Sequence, residues 1–162
     1  MTTNTSTITI HTDGACKGNP GPGSWAVIIE DERQRLFLAD RVPHTTNQKM
    51  ELTAAIKALQ TLSKHAGRPI RVVTDSQLLV NGMVKWLKGW KADGWRRSNG
   101  KPVENPDLWR ELDVLNQGHT ISWEWVKGHN GHQGNEEADA LANRALVEGY
   151  ICEREFLDAE AA

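Results

Sequence analysis

The chain has little that could tie it together covalently and nothing that would carry it into a bilayer. Its only cysteines, Cys16 and Cys152, allow one bridge at most, and neither belongs to a Cys-x-x-Cys pair. A disulfide framework is therefore excluded, and a cysteine-type zinc site has no support. The longest apolar run falls far short of the ~20 residues of a membrane-spanning helix. The opening Met-Thr-Thr-Asn-Thr-Ser-Thr lacks the basic start and apolar stretch of a secretion signal. Together these absences predict a cytoplasmic protein. Strong charge of one sign is missing too: the net charge is -2 and the pI about 6.3. The dense turn Gly18-Asn19-Pro20-Gly21-Pro22-Gly23 has no Gly-Lys-Ser/Thr and no helix after it, so it is not a P-loop but a tight turn. Internal repeats and linkers are also lacking.

What is present is an ordinary globular composition, 38% hydrophobic and 25% charged over 162 residues. That is enough for one domain, residues 1–162, with its core at about 7–147 and a tail at 151–162 expected to be loose. Residues 7–15 alternate as a half-buried strand, with Ile8 and Ile10 on one face. Residues 24–31 and 34–42 read as two further strands of an antiparallel meander. From Asn47 to Lys64 the spacing of Leu52, Ala55, Ile56, Leu59 and Leu62 predicts an amphipathic helix, with Asn47 as N-cap. Gly67 and Pro69 stop it. Residues 70–75 form a short buried strand, and the helical crossover makes it parallel to the first. A helix over 76–84, a Trp-rich stretch broken by Gly89 and Gly94, a helix over 107–117, a strand over 119–126 and a helix over 135–147 complete the pattern. The prediction is an α/β fold. Its five-stranded mixed sheet has strands one to three antiparallel, strands four and five parallel to strand one, and helices on its faces.

Acids occupy four joints of this plan. Asp13 and Asp75 each close an apolar strand, Thr-Ile-Thr-Ile-His-Thr-Asp-Gly and Ile-Arg-Val-Val-Thr-Asp-Ser. Parallel neighbouring strands would bring the two side chains within a few ångströms, at the edge where open α/β sheets gather function. Glu51 lies near the start of one helix and Asp139 near the start of the last. Taken singly, Asp13 serves a turn, Asp75 caps a helix, and Glu51 and Asp139 are solvated. Taken together, four acids at one edge repel unless a cation joins them, and all-oxygen ligands suit a hard ion such as Mg2+. That implies metal-assisted chemistry on a phosphate.

The loop Gly128-His129-Asn130-Gly131-His132-Gln133-Gly134 carries an H-x-x-H pair without a third ligand nearby. A zinc site is disfavoured. A loop histidine beside acids suits proton transfer near neutrality, while His132 reads equally as a surface residue. Between Lys85 and Lys101 stand Lys85, Lys88, Lys91, Arg96, Arg97 and Lys101 against Asp93 alone, a net +5, so the remainder totals -7. Trp86, Trp90 and Trp95 are interleaved, and their rings are expected to pack on their own helices. The clustered charge is the electrostatic signature of a phosphate-backbone contact.

Five segments, in this order, resemble the motifs of bacterial ribonuclease HI, the type 1 ribonuclease H family. They are Thr-Asp-Gly-Ala-Cys-Lys-Gly-Asn-Pro-Gly-Pro-Gly, Thr-Thr-Asn-Gln-Lys-Met-Glu-Leu, Thr-Asp-Ser-Gln, Trp-Val-Lys-Gly-His-Asn-Gly-His and Asn-Glu-Glu-Ala-Asp-Ala-Leu-Ala. The resemblance runs from about residue 7 to 147. It implies an endonuclease that cuts the RNA strand of RNA/DNA hybrids and leaves 3′-hydroxyl and 5′-phosphate ends. By motif position, Asp13, Glu51, Asp75 and Asp139 are the metal-binding acids and His129 assists proton transfer or product release. Cys16, Asn19, Asn47, Gln48 and Gln77 fall where the family meets the hybrid's minor groove. Thr46, Asn105 and Asn19 fall where it holds a phosphate of the DNA strand. The stretch with Lys85, Trp86, Lys88, Trp90, Lys91, Trp95, Arg96 and Arg97 resembles the basic protrusion that grips that strand. Gln48 stands where Asn is usual and Ala15 where Ser is common, which can alter groove contacts.

Two Mg2+ ions, with Mn2+ as a substitute, would activate a water and stabilise the leaving 3′ oxygen. Asp13 would bridge both ions, Glu51 and Asp75 would bind one, and Asp139 the other. Contacts to 2′-hydroxyls would tell RNA from DNA. Nothing suggests an oligomer, so a monomer is expected. Two rivals share the pattern. One is an integrase-like strand-transfer enzyme, disfavoured by the compact chain. The other is a catalytically silent hybrid-binding module, disfavoured by the complete acid set.

Overall fold

A computed structural model describes residues 6–62 and 67–157. One mixed sheet runs through the molecule in the order β5-β4-β1-β2-β3-β6. Its strands are β1 Ile8–Cys16, β2 Gly21–Glu30, β3 Gln34–Thr45, β4 Pro69–Thr74, β5 Thr120–Trp125 and β6 Ile151–Phe156. β1 pairs antiparallel with β2 and parallel with β4, and β5 adds parallel to β4. Those five strands stand as the sequence pattern predicts. The sixth does not. The segment expected to be loose pairs antiparallel with β3, Ala39 opposite Ile151 through Gln34 opposite Phe156. Five of its six residues are exposed, so no apolar alternation advertises it; only Ile151 is buried. Residues 158–162 of the tail lie outside the described residues, as does Lys64 at the expected end of the first helix.

β1 is buried on both faces rather than half-buried. Ile8 and Ile10 face one core, while His11 and Asp13 are also buried. The reason is that helices cover both sides of this central strand. α1 Asn47–Thr61 and α4 Pro106–Gln117 pack on one side, around Leu52, Ile56, Leu59, Trp109 and Leu112. α5 Gln133–Glu148 covers the other through Ala138, Leu141, Ala142 and Ala145. The α1 cap is Thr46, not Asn47: Thr46 has extended backbone and its hydroxyl oxygen accepts from the Lys49 amide at 3.2 Å. Asn47 is the first helical residue.

The segment after β4 also departs from expectation. α2 Gln77–Asn81 runs into a π-helical turn, Gly82–Trp86, and then into α3 Leu87–Ala92. Gly89 sits inside α3 and breaks nothing; the chain turns at Gly94, which has a φ of 65°. The wider turn has a packing cause. A Cβ on Gly82 would lie 2.1 Å from the Trp109 ring. The backbone therefore rests directly on the indole, and one residue is bulged out to let it.

Candidate functional site

The pairing of β1 with β4 sets Thr12 beside Thr74. The next residues are Asp13 and Asp75, so two carboxylates leave adjacent parallel strands side by side. Glu51 reaches the same point from the second turn of α1. Gly14 permits this, because a Cβ there would come 2.6 Å from the Glu51 amide nitrogen. Oxygens of Asp13, Glu51 and Asp75 lie within 4.8 Å of one another. Asp139, from α5, stands close enough to Asp13 to add to the rise of its pKa. It stands outside that set of three but lines the same cleft, a concavity of about 500 Å3. Gly128 closes one wall, where a Cβ would meet Asp75 Oδ2 at 2.7 Å.

Among the described residues, no lysine or arginine pairs with any of these four acids. Burial pushes the Asp13 carboxyl up to about 9, and the neighbouring Asp75 and Glu51 charges and the Asp139 hydrogen bond add to the rise. Burial pushes Glu51 up to about 7; a hydrogen bond from Ser76 opposes the shift and the Asp75 charge adds to it. This is the state of carboxylates crowded together without a counter-charge. The donor set is all oxygen, which fits a hard divalent cation.

His129 lines the cleft, exposed on its loop with a φ of 55°. His132 does not line it. Its Nδ1 accepts from the Asn135 amide at 3.2 Å and so caps α5. Asn47, Gln48 and Gln77 border the acids. Asn19 lies outside the cleft, but its Oδ1 accepts from the Asn47 amide at 2.8 Å and ties the Gly-rich turn to the start of α1. Cys16 Sγ approaches the Thr45 carbonyl at 3.4 Å. Asn105 precedes α4 in a left-handed conformation.

A second groove, of about 560 Å3, opens beside the first and shares Gln48 with it. Lys85, Trp86, Trp90, Arg96 and Arg97 line this groove; Lys88, Lys91 and Trp95 do not. Trp90 packs edge-on against Trp109 at 5.2 Å, as a structural ring should, but Trp86 is 40% exposed. Lys91 is held by Asp113 at 3.1 Å, and Trp95 lies under Arg110 at 4.9 Å.

Sequence reasoning missed two supports of Asp75. Ser76, not Asp75, caps α2, its hydroxyl accepting from Leu79 at 3.1 Å. Trp125 Nε1 donates to the Asp75 carbonyl at 3.1 Å. The Asp-Ser pair after a strand was an available signal for the first. None existed for the second, which depends on β5 lying next to β4.

The sheet order and the acid cleft define a class: an α/β protein with a mixed sheet that gathers carboxylates, able to hold a divalent cation, at the carboxyl ends of its central strands. The RNase H family model matches residues 5–147. The ribonuclease H of Cupriavidus necator is 52% identical over 139 residues, covering 86% of this chain and 94% of that one. The ribonuclease H of Maricaulis maris is 54% identical over 143 residues, covering 88% and 95%. Among solved structures, LC9-RNase H1, described as a type 1 RNase H with the type 2 active-site motif, superposes with a TM-score of 0.77. It is 31% identical and the match covers 100% of this chain and 93% of that one. The chain belongs to the ribonuclease H family, in its bacterial HI branch. It is accordingly a nuclease and a hydrolase.

Proposed function

We propose that the cleft hydrolyses the RNA strand of RNA/DNA hybrids, leaving 3′-hydroxyl and 5′-phosphate ends, with two Mg2+ ions that Mn2+ can replace. The observation that carries this reading is the set of three carboxylate oxygens within 4.8 Å, with Asp139 adjoining Asp13. Asp13 is central enough to be shared by two ions. Glu51 and Asp75 would hold one with it, and Asp139 the other. Bound there, the ions would supply an activated water and charge neutralisation at the leaving 3′ oxygen.

The chain's own groups do the rest. His129, on an exposed loop at the mouth, can take or give a proton at the phosphate oxygens. Asn47, Gln48 and Gln77, with Cys16 and Asn19, face the minor groove and select for 2′-hydroxyls. Thr46 accepts a helix amide, which leaves its O–H free to donate to a phosphate of the DNA strand. Asn19 likewise accepts through Oδ1 and keeps its amide protons for the same phosphate; Asn105 completes that site. Lys85, Lys88, Lys91, Arg96 and Arg97, with Trp86, Trp90 and Trp95, grip the DNA strand through charge and ring contact. We place this activity in a monomer in the cytoplasm. The cysteines are free, and among the described residues no helix is long and apolar enough to cross a membrane.

Labelled RNA/DNA hybrid, double-stranded RNA and double-stranded DNA, each with and without Mg2+, test the proposal. Only the hybrid should be cut, only with Mg2+, and Asp13→Asn should fall to the metal-free background while still binding hybrid. Cleavage by Asp13→Asn would remove the two-ion assignment, and cleavage of double-stranded DNA would favour a strand-transfer enzyme.

A further inference from the structure

Asp139 reaches Asp13 only because α5 lies at one particular height on the sheet. Most of what α5 packs with cannot set that height. The contact is built largely of alanines, Ala26 and Ala39 on the sheet against Ala138, Ala142 and Ala145 on the helix, with Ile28, Leu141 and Ile151 as its larger buried members, and a contact between methyl groups resists sliding poorly. Directional bonds are needed. Towards its C-terminal half, the Ser24 hydroxyl donates to the Ala142 carbonyl at 2.6 Å. The N-terminal half, which bears Asp139, is held differently.

A line of charged groups runs beneath that half, and none of them lines the acid cleft. Buried His11 pairs through Nε2 with Glu30 Oε1 at 3.0 Å. Glu30 Oε2 accepts from Arg35 Nε at 2.8 Å, and Arg35 Nη2 donates to Glu137 Oε2 at 2.7 Å. The Arg35 side chain is only 18% exposed. The helix is seated on the first member of the line: a Cβ on Gly134 would come 2.2 Å from the His11 ring. The ring of His132, the α5 cap, lies 5.7 Å from that of His11. Glu136 Oε1 accepts the Gly131 amide at 3.2 Å, so the His129 loop is tied to the same turn.

We propose that Arg35, backed by His11 and Glu30, is a positioning residue. By holding Glu137 it fixes α5 on the sheet, and so fixes Asp139 against Asp13. This rests on the reading of the cleft as a divalent-cation site. Groups that hold a metal ligand in place typically change metal affinity by about 10–100-fold when lost. Arg35 acts through a helix, which argues for the lower end.

The test uses the full chain without nucleic acid, with Mn2+ binding followed by the loss of the free-ion electron paramagnetic resonance signal. Arg35→Met should weaken Mn2+ binding about tenfold. It should raise the Mn2+ needed for half-maximal cleavage to match, with kcat at saturating Mn2+ within about twofold of the parent. Arg68→Met is the control. It breaks a comparably shielded pair, Arg68 with Asp31 at 3.1 Å, neither of which lines the cleft. It should cost similar thermal stability and leave Mn2+ affinity unchanged. Should Arg35→Met not fold, Glu137→Gln carries the same comparison. Equal Mn2+ affinity in the variant and the parent overturns the inference, as does an equal loss in Arg68→Met. A parent that binds no Mn2+ overturns the cation reading and the inference with it.

Discussion

Asp13 is a group whose folded environment opposes its charge. Its pKa stands at about 9 against an ordinary 3.8, and that of Glu51 at about 7 against 4.5. An acid raised in this way binds more protons folded than unfolded between its two pKa values, so stability falls with rising pH across that window. The contribution is complete below about pH 4 and is lost progressively toward about pH 9 for Asp13, and toward about pH 7 for Glu51. The metal-free protein should therefore melt lower at pH 8 than at pH 5. Asp13→Asn removes the larger part of that slope. It should raise the Tm of metal-free protein at pH 8 by at least a few degrees, since ~1 kcal/mol moves a chain of this size by about 2–4 °C. Mg2+ should stabilise the parent at pH 8 and do much less for Asp13→Asn. Scanning calorimetry in a chelator checks all three, and an Asp13→Asn protein that melts below the parent at pH 8 would contradict them. The residue whose change should abolish activity is thus also the one whose change should stabilise the fold.

At the scale of elements, Gly82 decides more than its position in the chain suggests. Its backbone lies on the Trp109 ring, and the π-helical turn is how the segment from α2 to α3 accommodates that contact. Gly82→Ala must push the two apart. Overpacking of this kind costs about 1–3 kcal/mol, and the displaced face is the one that presents Lys85, Trp86 and Trp90 to the basic groove. Lower stability in urea together with weaker hybrid binding is the expected pair of results; lost stability with unchanged binding would mean that the π turn serves packing alone. The same element marks the limit of what could be read from the chain. Two strand-ending aspartates and a helix period were legible, because alternation and 3.6-residue spacing are local signals. They placed five strands, the crossover and the acids. A one-residue bulge over Trp109 is a tertiary event and leaves no local trace. Thr46 and Asn47 are both good capping types, so only the backbone angles could choose between them. β6 has five exposed residues out of six and a charged middle, which reads as a tail until β3 is there to pair with it.

At the scale of the whole molecule, the proposed function requires a chain of net charge -2 to approach a polyanion with its acid cleft foremost. The separation of charge along the sequence makes this workable: a +5 stretch from Lys85 to Lys101 lies against a remainder of -7. The folded arrangement sets that stretch beside the acids, the two grooves sharing Gln48. Each phosphate contact made by such a stretch releases a counterion and steepens the fall of affinity with salt by ~0.9 per contact on a B-form duplex. Neutralising Lys85, Lys88, Lys91, Arg96 and Arg97 together should flatten the slope of log K against log salt by roughly 3–4. The figure falls short of one per residue because Lys91 is already held by Asp113 and Arg96 by the Gly100 carbonyl. Lys85 and Lys88, both exposed, should each account for more of the change than Lys91. Binding should be measured by anisotropy on labelled hybrid in a chelator, so that cleavage cannot intervene, and at several salt concentrations. A slope that survives all five substitutions would move the DNA-strand contact elsewhere on the surface. A slope that flattens on Lys91 neutralisation alone would mean that the Asp113 pair opens when the hybrid arrives.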